Sequence, residues 1–266
     1  MSVETVQYTR DGHIATIRLN RPEMRNAMDF DMSQAFDAAV ERAIQDSEAW
    51  VVVVTANGKS FCAGVDVKLL VPAVNNNTDA KFKEPMGRSG HIGWSAYKLW
   101  TLEKPTISAI RGHAFGGGMG IALACDIRVA ADDAQFSAIF TQRGLAPDSG
   151  TSFFLMQSVG YAKACELAFT ARRVDAKEAE RLGMVNKVVP IDRVEDEAYT
   201  LAREITMGAP IAVRMAKRVL RRGLDAEALA SVEYELFVNQ LCARTEDLAE
   251  GGKAFLEKRA PRWKGR

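Results

Sequence analysis

The sequence predicts an α/β fold, and three features support this prediction. Two apolar runs of strand length, Val51–Thr55 and Thr106–Ile110, are rich in β-branched residues, and each is followed by a turn that contains glycine. Behind the second turn lies a small apolar run of helical length. From Thr151 onward the pattern is helical, apart from a short strand at Lys187–Val189. We therefore expect repeated turns of strand, strand and helix, followed by a helical C-terminal part.

Composition narrows the class of protein. The 266 residues suffice for a large core, and 47% hydrophobic with 26% charged residues is typical of a soluble globular protein. A net charge of +1 gives no electrostatic reason to expect nucleic acid or a membrane as partner. The start of the chain has no secretory pattern, and the four cysteines lack metal-ligand spacing. We expect a cytoplasmic protein with reduced cysteines and no metal site.

The remaining elements follow from local patterns. An alternating segment from Gln7 to Leu19 predicts a hairpin with its turn at Asp11-Gly12. Asp29 or Asp31 is expected to cap a helix that runs to about Gln45. Further predictions are a surface loop over 73–86, an aromatic helical face over 90–102, a strand over 126–131, and helices over 191–207, 211–222, 225–244 and 247–258.

Three consecutive glycines, Gly116-Gly117-Gly118, stand at the turn between the strand Thr106–Ile110 and the helical run. The first turn of a helix has free N–H groups and a positive dipole end, so it can hold an oxygen that gains negative charge. A tight turn that lets helix and strand pack closely is the alternative. A phosphate loop fits less well, because the spacing matches neither GxGxxG nor GxxxxGK[ST].

A second glycine turn, from Gly58 to Asp66, follows the strand Val51–Thr55, and two such turns can each offer one N–H group to the same oxygen. The segment Phe61-Cys62-Ala63-Gly64-Val65-Asp66, together with the glycine triplet, resembles the crotonase or enoyl-CoA hydratase/isomerase superfamily, and the resemblance covers nearly the whole chain. It implies a spiral of repeated ββα turns and an acyl-CoA substrate. The thioester carbonyl would be polarised by the N–H groups of Gly117 and of Cys62 or Ala63, with Ala63 favoured.

The expected acids of a hydratase are missing. Hydratases of this superfamily use two carboxylates, and the matching positions hold Gly120 and Phe140, neither of which transfers a proton. Asp148 is the nearest remaining carboxylate, and dienoyl-CoA isomerases, the phenylacetate-pathway ring-epoxide isomerase and the aromatic dehalogenase use an acid at the corresponding position. The pattern is closest to the epoxide isomerase and enoyl-CoA isomerase branch. Asp148 is therefore the predicted catalytic acid.

Asp148 has a second interpretation, because it stands just before a predicted helix and an aspartate there can serve as the N-cap. As a catalytic acid it would be desolvated by nearby phenylalanines, Phe140, Phe153 and Phe154. If Asp148 is not the acid, Glu103 and Asp66 are the next candidates. His91 is a possible second base, whereas His113 is interpreted as structural.

The resemblance also implies a set of substrate-binding residues. They are Arg25, Ala27, Cys62, Gly64, Asp66, Gly116, Phe140, Phe255 and Lys258. Arg25 would bind the CoA phosphates, and Phe255 and Lys258 would reach the CoA of a neighbouring subunit. A solvated loop arginine, a solvated basic terminus and a packing role for Cys62 are the alternatives. No separate cofactor is expected, because coenzyme A is part of the substrate.

Taken together, the sequence predicts a spiral catalytic core over 1–200 and a helical trimerisation region over 201–266. The resemblance implies homotrimers, or dimers of trimers. The predicted activity is a double-bond shift in an acyl-CoA, possible substrates being CoA esters from fatty acids or aromatic compounds. A hydratase or lyase that uses Asp148 alone and a non-catalytic CoA-ester binder are the alternatives.

Overall fold

The computed structural model describes residues 4–66, 92–143, 145–224, 245–257 and 259–266. The strands in these ranges are β1 (Val6–Asp11), β2 (Ile14–Leu19), β3 (Val51–Ala56), β4 (Thr106–Ile110), β5 (His113–Phe115), β6 (Ile127–Ala131), β7 (Gln135–Ser137), β8 (Val174–Asp175) and β9 (Lys187–Val189). The helices are α1 (Phe30–Gln45), α2 (Ile92–Thr101), α3 (Gly117–Ala124), α4 (Thr151–Val159), α5 (Tyr161–Thr170), α6 (Ala176–Arg181), α7 (Val194–Thr206), α8 (Pro210–Arg222) and α9 (Glu246–Glu257).

The main sheet has six strands in the order β1-β2-β3-β4-β6-β9. Strand β1 is antiparallel to β2, and every other neighbouring pair is parallel. A smaller sheet has the order β5-β7-β8. Because β3 and β4 are parallel neighbours, the chain leaves both strands at the same edge of the sheet. The first glycine turn follows β3, and the chain from the end of β4 reaches the glycine triplet through β5, whose Ala114 bridges to Cys62.

Each face of the main sheet carries a hydrophobic layer, as expected for parallel strands covered on both sides. One face packs against α7 through Val194, Ala198 and Ala202, which recur every four residues and so share one side of the helix. The other face belongs to the large core that includes α1, α2 and α3. Helix α7 crosses residue 200, where the sequence analysis divides the chain. The division into a core and a trimerisation region stays a prediction.

Most predicted elements are present, with small shifts of their ends. The hairpin turn consists of Gly12 and His13 rather than Asp11 and Gly12, because Asp11 still pairs with Ile14 in the ladder. Asp29 is the N-cap of α1, and its side chain accepts a hydrogen bond from the N–H of Met32 at 2.9 Å. The predicted loop over 73–86, the predicted helix over 225–244 and His91 lie outside the described residues.

No helix in the described ranges is both long enough and apolar enough to cross a membrane.

Candidate active site

The two glycine turns are joined by backbone hydrogen bonds. The N–H of Cys62 donates to the carbonyl of His113 at 2.9 Å, and the N–H of Phe115 donates to the carbonyl of Cys62 at 3.0 Å. Glycine is required where they meet, since a Cβ atom on Gly118 would lie 2.3 Å from the Cys62 oxygen. A Cβ atom on Gly64 would lie 2.8 Å from the Phe115 oxygen. The predicted convergence of the two turns is therefore present.

The expected donors in the first turn are already engaged. Cys62 donates its N–H to His113, as described above, and the N–H of Ala63 donates to the carbonyl of Arg25 at 3.0 Å. A donor already bonded to a backbone carbonyl is not available to a substrate oxygen without loss of that bond. The expectation that Ala63 or Cys62 supplies the first donor therefore does not fit the observed geometry.

Near Gly64, the available N–H group belongs to Val65 rather than to Cys62 or Ala63. Met28 forms an isolated parallel bridge with Val65, in which the N–H of Met28 donates to Gly64 at 2.8 Å and the N–H of Asp66 donates to Met28 at 2.9 Å. In a parallel pair the central residue directs its own N–H away from its partner. Within the described part of the chain, the N–H of Val65 has no acceptor. The sequence alone does not indicate this donor, because the orientation of its N–H depends on pairing with Met28.

In the second turn, the N–H of the predicted donor Gly117 has no backbone acceptor among the described residues. Gly117 is the first residue of α3, so its N–H has no acceptor within the helix. The preceding N–H, of Gly116, donates to Ser137 at 2.9 Å and is not available. A Cβ atom on Gly64, the residue before Val65, would lie 3.7 Å from the Gly117 nitrogen. The two free donors thus belong to segments in contact, with the positive end of the α3 dipole beside them.

The surroundings of Cys62 and Asp66 are typical of residues that stabilise the fold. Burial raises the pKa of the Cys62 thiol to about 12, so the thiol stays protonated and serves in packing. Asp66 is 3% exposed and accepts a hydrogen bond from Arg21 Nη1 at 3.1 Å. The same guanidinium forms an ion pair with Asp29 at 3.1 Å. Asp66 therefore anchors the first turn to the segment before α1, which makes it a poor candidate for the acid.

The loop before α1 presents Arg25 to solvent. Arg25 and Asn26 both have left-handed backbone angles, with φ of 53° and 55°. Asn26 is buried and donates to the carbonyls of Asn57 and Ser60, which stabilises this unusual backbone. Ala27, the next residue, is buried, whereas the Arg25 side chain is exposed. Its charge is therefore accessible to an anionic ligand.

His113 is structural, as the sequence analysis interprets it. Its Nδ1 atom lies 3.0 Å from Ser60 Oγ, and its ring packs edge-on against Phe115 with centroids 4.8 Å apart. Burial, followed by the positive charges of Arg25 and Arg173, lowers the pKa of His113. The imidazole is therefore neutral at physiological pH and adds no charge to the site.

In this chain, glycine and phenylalanine occupy positions 120 and 140, where hydratases carry acids. Phe140 is buried, and its ring reaches 3.8 Å from where a Cβ atom on Gly116 would lie. A Cβ atom on Gly120 would lie only 2.6 Å from the Ser149 carbonyl oxygen and 2.8 Å from Thr151 Oγ1. The Ser149 backbone therefore occupies the space into which a side chain at position 120 would project.

Asp148 stands beside this segment. Its surroundings match neither the predicted N-cap nor the predicted acid desolvated by phenylalanines. It is not the N-cap of α4, because Gly150 holds that position without a side-chain cap. The expectation that Phe140, Phe153 and Phe154 desolvate Asp148 is also wrong, because the residue is exposed. The rings of Phe153 and Phe154 pack against Trp100 instead. The carboxylate accepts a hydrogen bond from Ser149 Oγ at 2.8 Å.

Ser149 connects Asp148 to the glycine turn. Its Oγ atom lies 3.2 Å from where a Cβ atom on Gly117 would lie. The same serine side chain therefore contacts the Asp148 carboxylate and packs against Gly117. Glu103, the other alternative acid, is paired with Arg214 at 2.9 Å and precedes β4, at the edge of the sheet opposite the glycine turns.

A cleft of about 660 Å³ lies elsewhere, at the C-terminal end of α3. Its lining includes Trp100 and the ion cluster of Asp126, Lys217 and Arg221, in which Lys217 Nζ lies 2.6 Å from Asp126 Oδ2. Burial lowers the pKa of Lys217 to about 8. The N–H of Gly117 is at the opposite end of α3, so this cleft is separate from the glycine turns.

Two substrate-binding predictions fall outside the described side chains. Phe255 lies in α9, but its side chain is not among those described, and Lys258 lies between the described ranges. Their roles stay predictions.

Two joined glycine turns on a parallel α/β core, each with an available N–H group, match the two-donor geometry that polarises a carbonyl oxygen. The chain belongs to the enoyl-CoA hydratase/isomerase family, the crotonase superfamily, whose family model matches residues 9–266. It is 34% identical to the short-chain-enoyl-CoA hydratase of Clostridium acetobutylicum, with 97% of each chain covered. It is 36% identical to the carnitinyl-CoA dehydratase of Citrobacter koseri, with 99% of each covered.

Solved structures support the same assignment. The crystal structure of an enoyl-CoA hydratase from Bacillus anthracis matches with a TM-score of 0.90 and 31% identity, covering 98% of this chain and 100% of that chain. The α/β crotonase fold predicted from the sequence is confirmed.

The contact between position 120 and Ser149 can be tested by stability. Replacing glycine with alanine inside a helix usually stabilises it by about 1 kcal/mol. We expect Gly120→Ala to lower the free energy of unfolding by about 1–3 kcal/mol instead, because the added methyl group meets backbone at 2.6 Å. Denaturant unfolding measures this difference, and a stabilised variant would show that the space is open.

Proposed function

We propose that this chain binds an acyl-CoA thioester and shifts a carbon–carbon double bond by proton transfer through Asp148. The N–H groups of Val65 and Gly117 polarise the thioester carbonyl. The observation that carries the proposal is the hydrogen bond from Ser149 to the Asp148 carboxylate, because the same hydroxyl lies 3.2 Å from where a Cβ atom on Gly117 would lie and so places one carboxylate on the segment that packs against the glycine turn. Membership of the family and the relatives' names support an acyl-CoA substrate.

The chemistry needs one base. Asp148 removes a proton from the carbon next to the thioester of a 3-enoyl-CoA, and the electron pair delocalises onto the thioester oxygen. The two N–H groups stabilise the negative charge of this dienolate. The same carboxyl group then returns the proton two carbons further along the chain, giving the 2-enoyl-CoA. No water molecule is consumed, and no metal ion or separate cofactor takes part.

Hydration or dehydration is the second candidate, for two reasons. The relatives named above are a hydratase and a dehydratase, and the exposed Asp148 side chain is accessible to water. Against it, positions 120 and 140 hold glycine and phenylalanine, so the two-carboxylate arrangement of hydratases is missing. A non-catalytic CoA-ester binder is a third candidate, because an oxyanion site alone suffices for binding.

A panel of substrates separates the three candidates. The chain is incubated with 3-enoyl-, 2-enoyl- and epoxyphenylacetyl-CoA, and the product masses and absorbance spectra are recorded. An unchanged mass with altered absorbance indicates isomerisation, and a gain of one water indicates hydration. Unaltered substrates that nevertheless bind would indicate a binder and contradict our proposal. The epoxide substrate tests the proposed relation to the epoxide isomerase branch.

The CoA part of the substrate is assigned to the loop before α1. The exposed Arg25 is positioned for its phosphates, and Ala27 belongs to the same loop. Phe255 and Lys258 are proposed to contact the CoA of a neighbouring subunit. Phe140 and Gly116 would form the wall next to the thioester, since the phenyl ring lies against that glycine.

The role of Asp148 is tested by Asp148→Asn, which keeps the shape of the side chain and can still accept the hydrogen bond from Ser149. Because the amide cannot exchange a proton as a carboxylate does, we expect the rate of 3-enoyl-CoA isomerisation to fall about 10²–10⁴-fold. Asp196→Asn, at an exposed position on α7, is the matched control. Near wild-type turnover of Asp148→Asn would contradict the assignment.

The donor role of Val65 is tested by Val65→Pro, which removes the N–H group. We expect kcat to fall about 10²–10³-fold, the usual loss for one oxyanion donor. Val65→Ala shortens the side chain but keeps the N–H, so the ratio between the two variants reports the donor alone. Equal kcat values for the two variants would assign the donor to another residue.

We also propose that the chain assembles as a homotrimer or a dimer of trimers. Helix α5 exposes two aromatic residues eight positions apart on one face, Tyr161 and Phe169, each 73% exposed. Large apolar side chains on one face favour burial against another chain. Light scattering at micromolar concentration should give the mass of three or six chains, and a stable monomer would contradict this proposal.

A further inference from the structure

We propose that Ser149 is a positioning residue that orients the Asp148 carboxylate and, through its backbone, excludes a second acid from the site. The inference rests on the proposed function, because it assigns Ser149 a role through Asp148. Ser149 Oγ donates a hydrogen bond to Asp148 Oδ1 at 2.8 Å. No comparison or sequence motif described above assigns a role to this serine.

Burial makes this serine a rigid support. Ser149 is 5% exposed, whereas the aspartate that it contacts is exposed. An exposed carboxylate on its own samples several rotamers, and a hydrogen bond from a fixed donor selects one of them. Because the hydroxyl also lies against Gly117, the selected rotamer keeps a fixed relation to the N–H donor of that turn.

The backbone of this segment is held in an unusual conformation. Ser149 has a φ of 54°, a left-handed value that is uncommon for residues other than glycine. The turn is closed by a hydrogen bond from the N–H of Thr151 to the carbonyl of Asp148 at 2.8 Å. Thr151 is fully buried, and its Oγ1 atom lies 3.4 Å from the Gly116 carbonyl oxygen. Strained backbone of this kind persists where its surroundings fix it, often at functional sites.

The same conformation accounts for the glycine at position 120. The Ser149 carbonyl oxygen is the atom that a Cβ on Gly120 would meet at 2.6 Å. The hydroxyl of Ser149 therefore supports one carboxylate, while its carbonyl closes the position from which hydratases project another. We infer that this residue helps to set the reaction, favouring proton transfer by a single acid.

The test is a double-mutant cycle with Asp148→Asn. Ser149→Ala removes the hydroxyl, and Ser149→Gly removes it in a residue that adopts the left-handed backbone readily, so that a folded variant is available. We expect kcat for isomerisation to fall about 10- to 100-fold in either variant, the range for a hydrogen bond to a charged group, with KM little changed. In the Asp148→Asn background the same substitutions should cause no further loss, because their effect passes through the carboxylate.

The control is Ser158→Ala, which removes a serine hydroxyl bonded to the Phe154 carbonyl in α4, away from Asp148. It should leave kcat unchanged in both backgrounds. Wild-type kcat in both Ser149 variants, or an equal loss with and without Asp148, would overturn the positioning role. If Asp148→Asn is inactive while the Ser149 variants are fully active, only the positioning role fails. If Asp148→Asn is active, the proposed acid and the positioning role fail together.

Discussion

The contact between the two glycine turns is the constraint on which the rest of the site depends. Three backbone segments, around Cys62, around Ala114 and at the start of α3, approach one another so closely that Cβ atoms at Gly64 and Gly118 would overlap with carbonyl oxygens. Their hydrogen bonds consume most of the local N–H groups, and this is why the few that remain free are well defined. Parallel pairing of β3 with β4 directs both chain segments to one edge of the sheet, and the bridge between Cys62 and Ala114 then joins the two turns.

The sequence predicted those parts of the structure that depend on local patterns. The apolar runs became β3 and β4, the glycine triplet opened a helix, and Asp29 capped α1, because each depends on neighbouring residues alone. Site residues whose role depends on distant pairing were harder to predict. The orientation of the N–H of Val65 depends on Met28, and the N-cap of α4 depends on the backbone angles of Ser149 and Gly150, which the letters Asp-Ser-Gly do not specify.

The chain shares the fold of its family but differs at the two positions where hydratases carry acids. Its relatives are named for adding or removing water, a reaction in which both the water and the substrate carbon need a proton-transfer group. Here a phenyl ring and a main-chain carbonyl fill the two positions, and one aspartate remains at the turn before α4. Change at a few positions around a conserved carbonyl-binding geometry is one way in which a fold supports several reactions.

The burial of Cys62 has a chemical consequence for an enzyme of this kind. A 2-enoyl thioester is an electrophile at its third carbon, and the oxyanion donors that polarise its carbonyl make that carbon more reactive toward thiolates. Cys62 lies within the very turn that supplies a donor, yet its thiol is fully buried against Gly118 with a pKa raised to about 12. A protonated, inaccessible thiol does not add to the product. If the proposed reaction holds, the packing that joins the turns also keeps this thiol out of reach of the 2-enoyl thioester product.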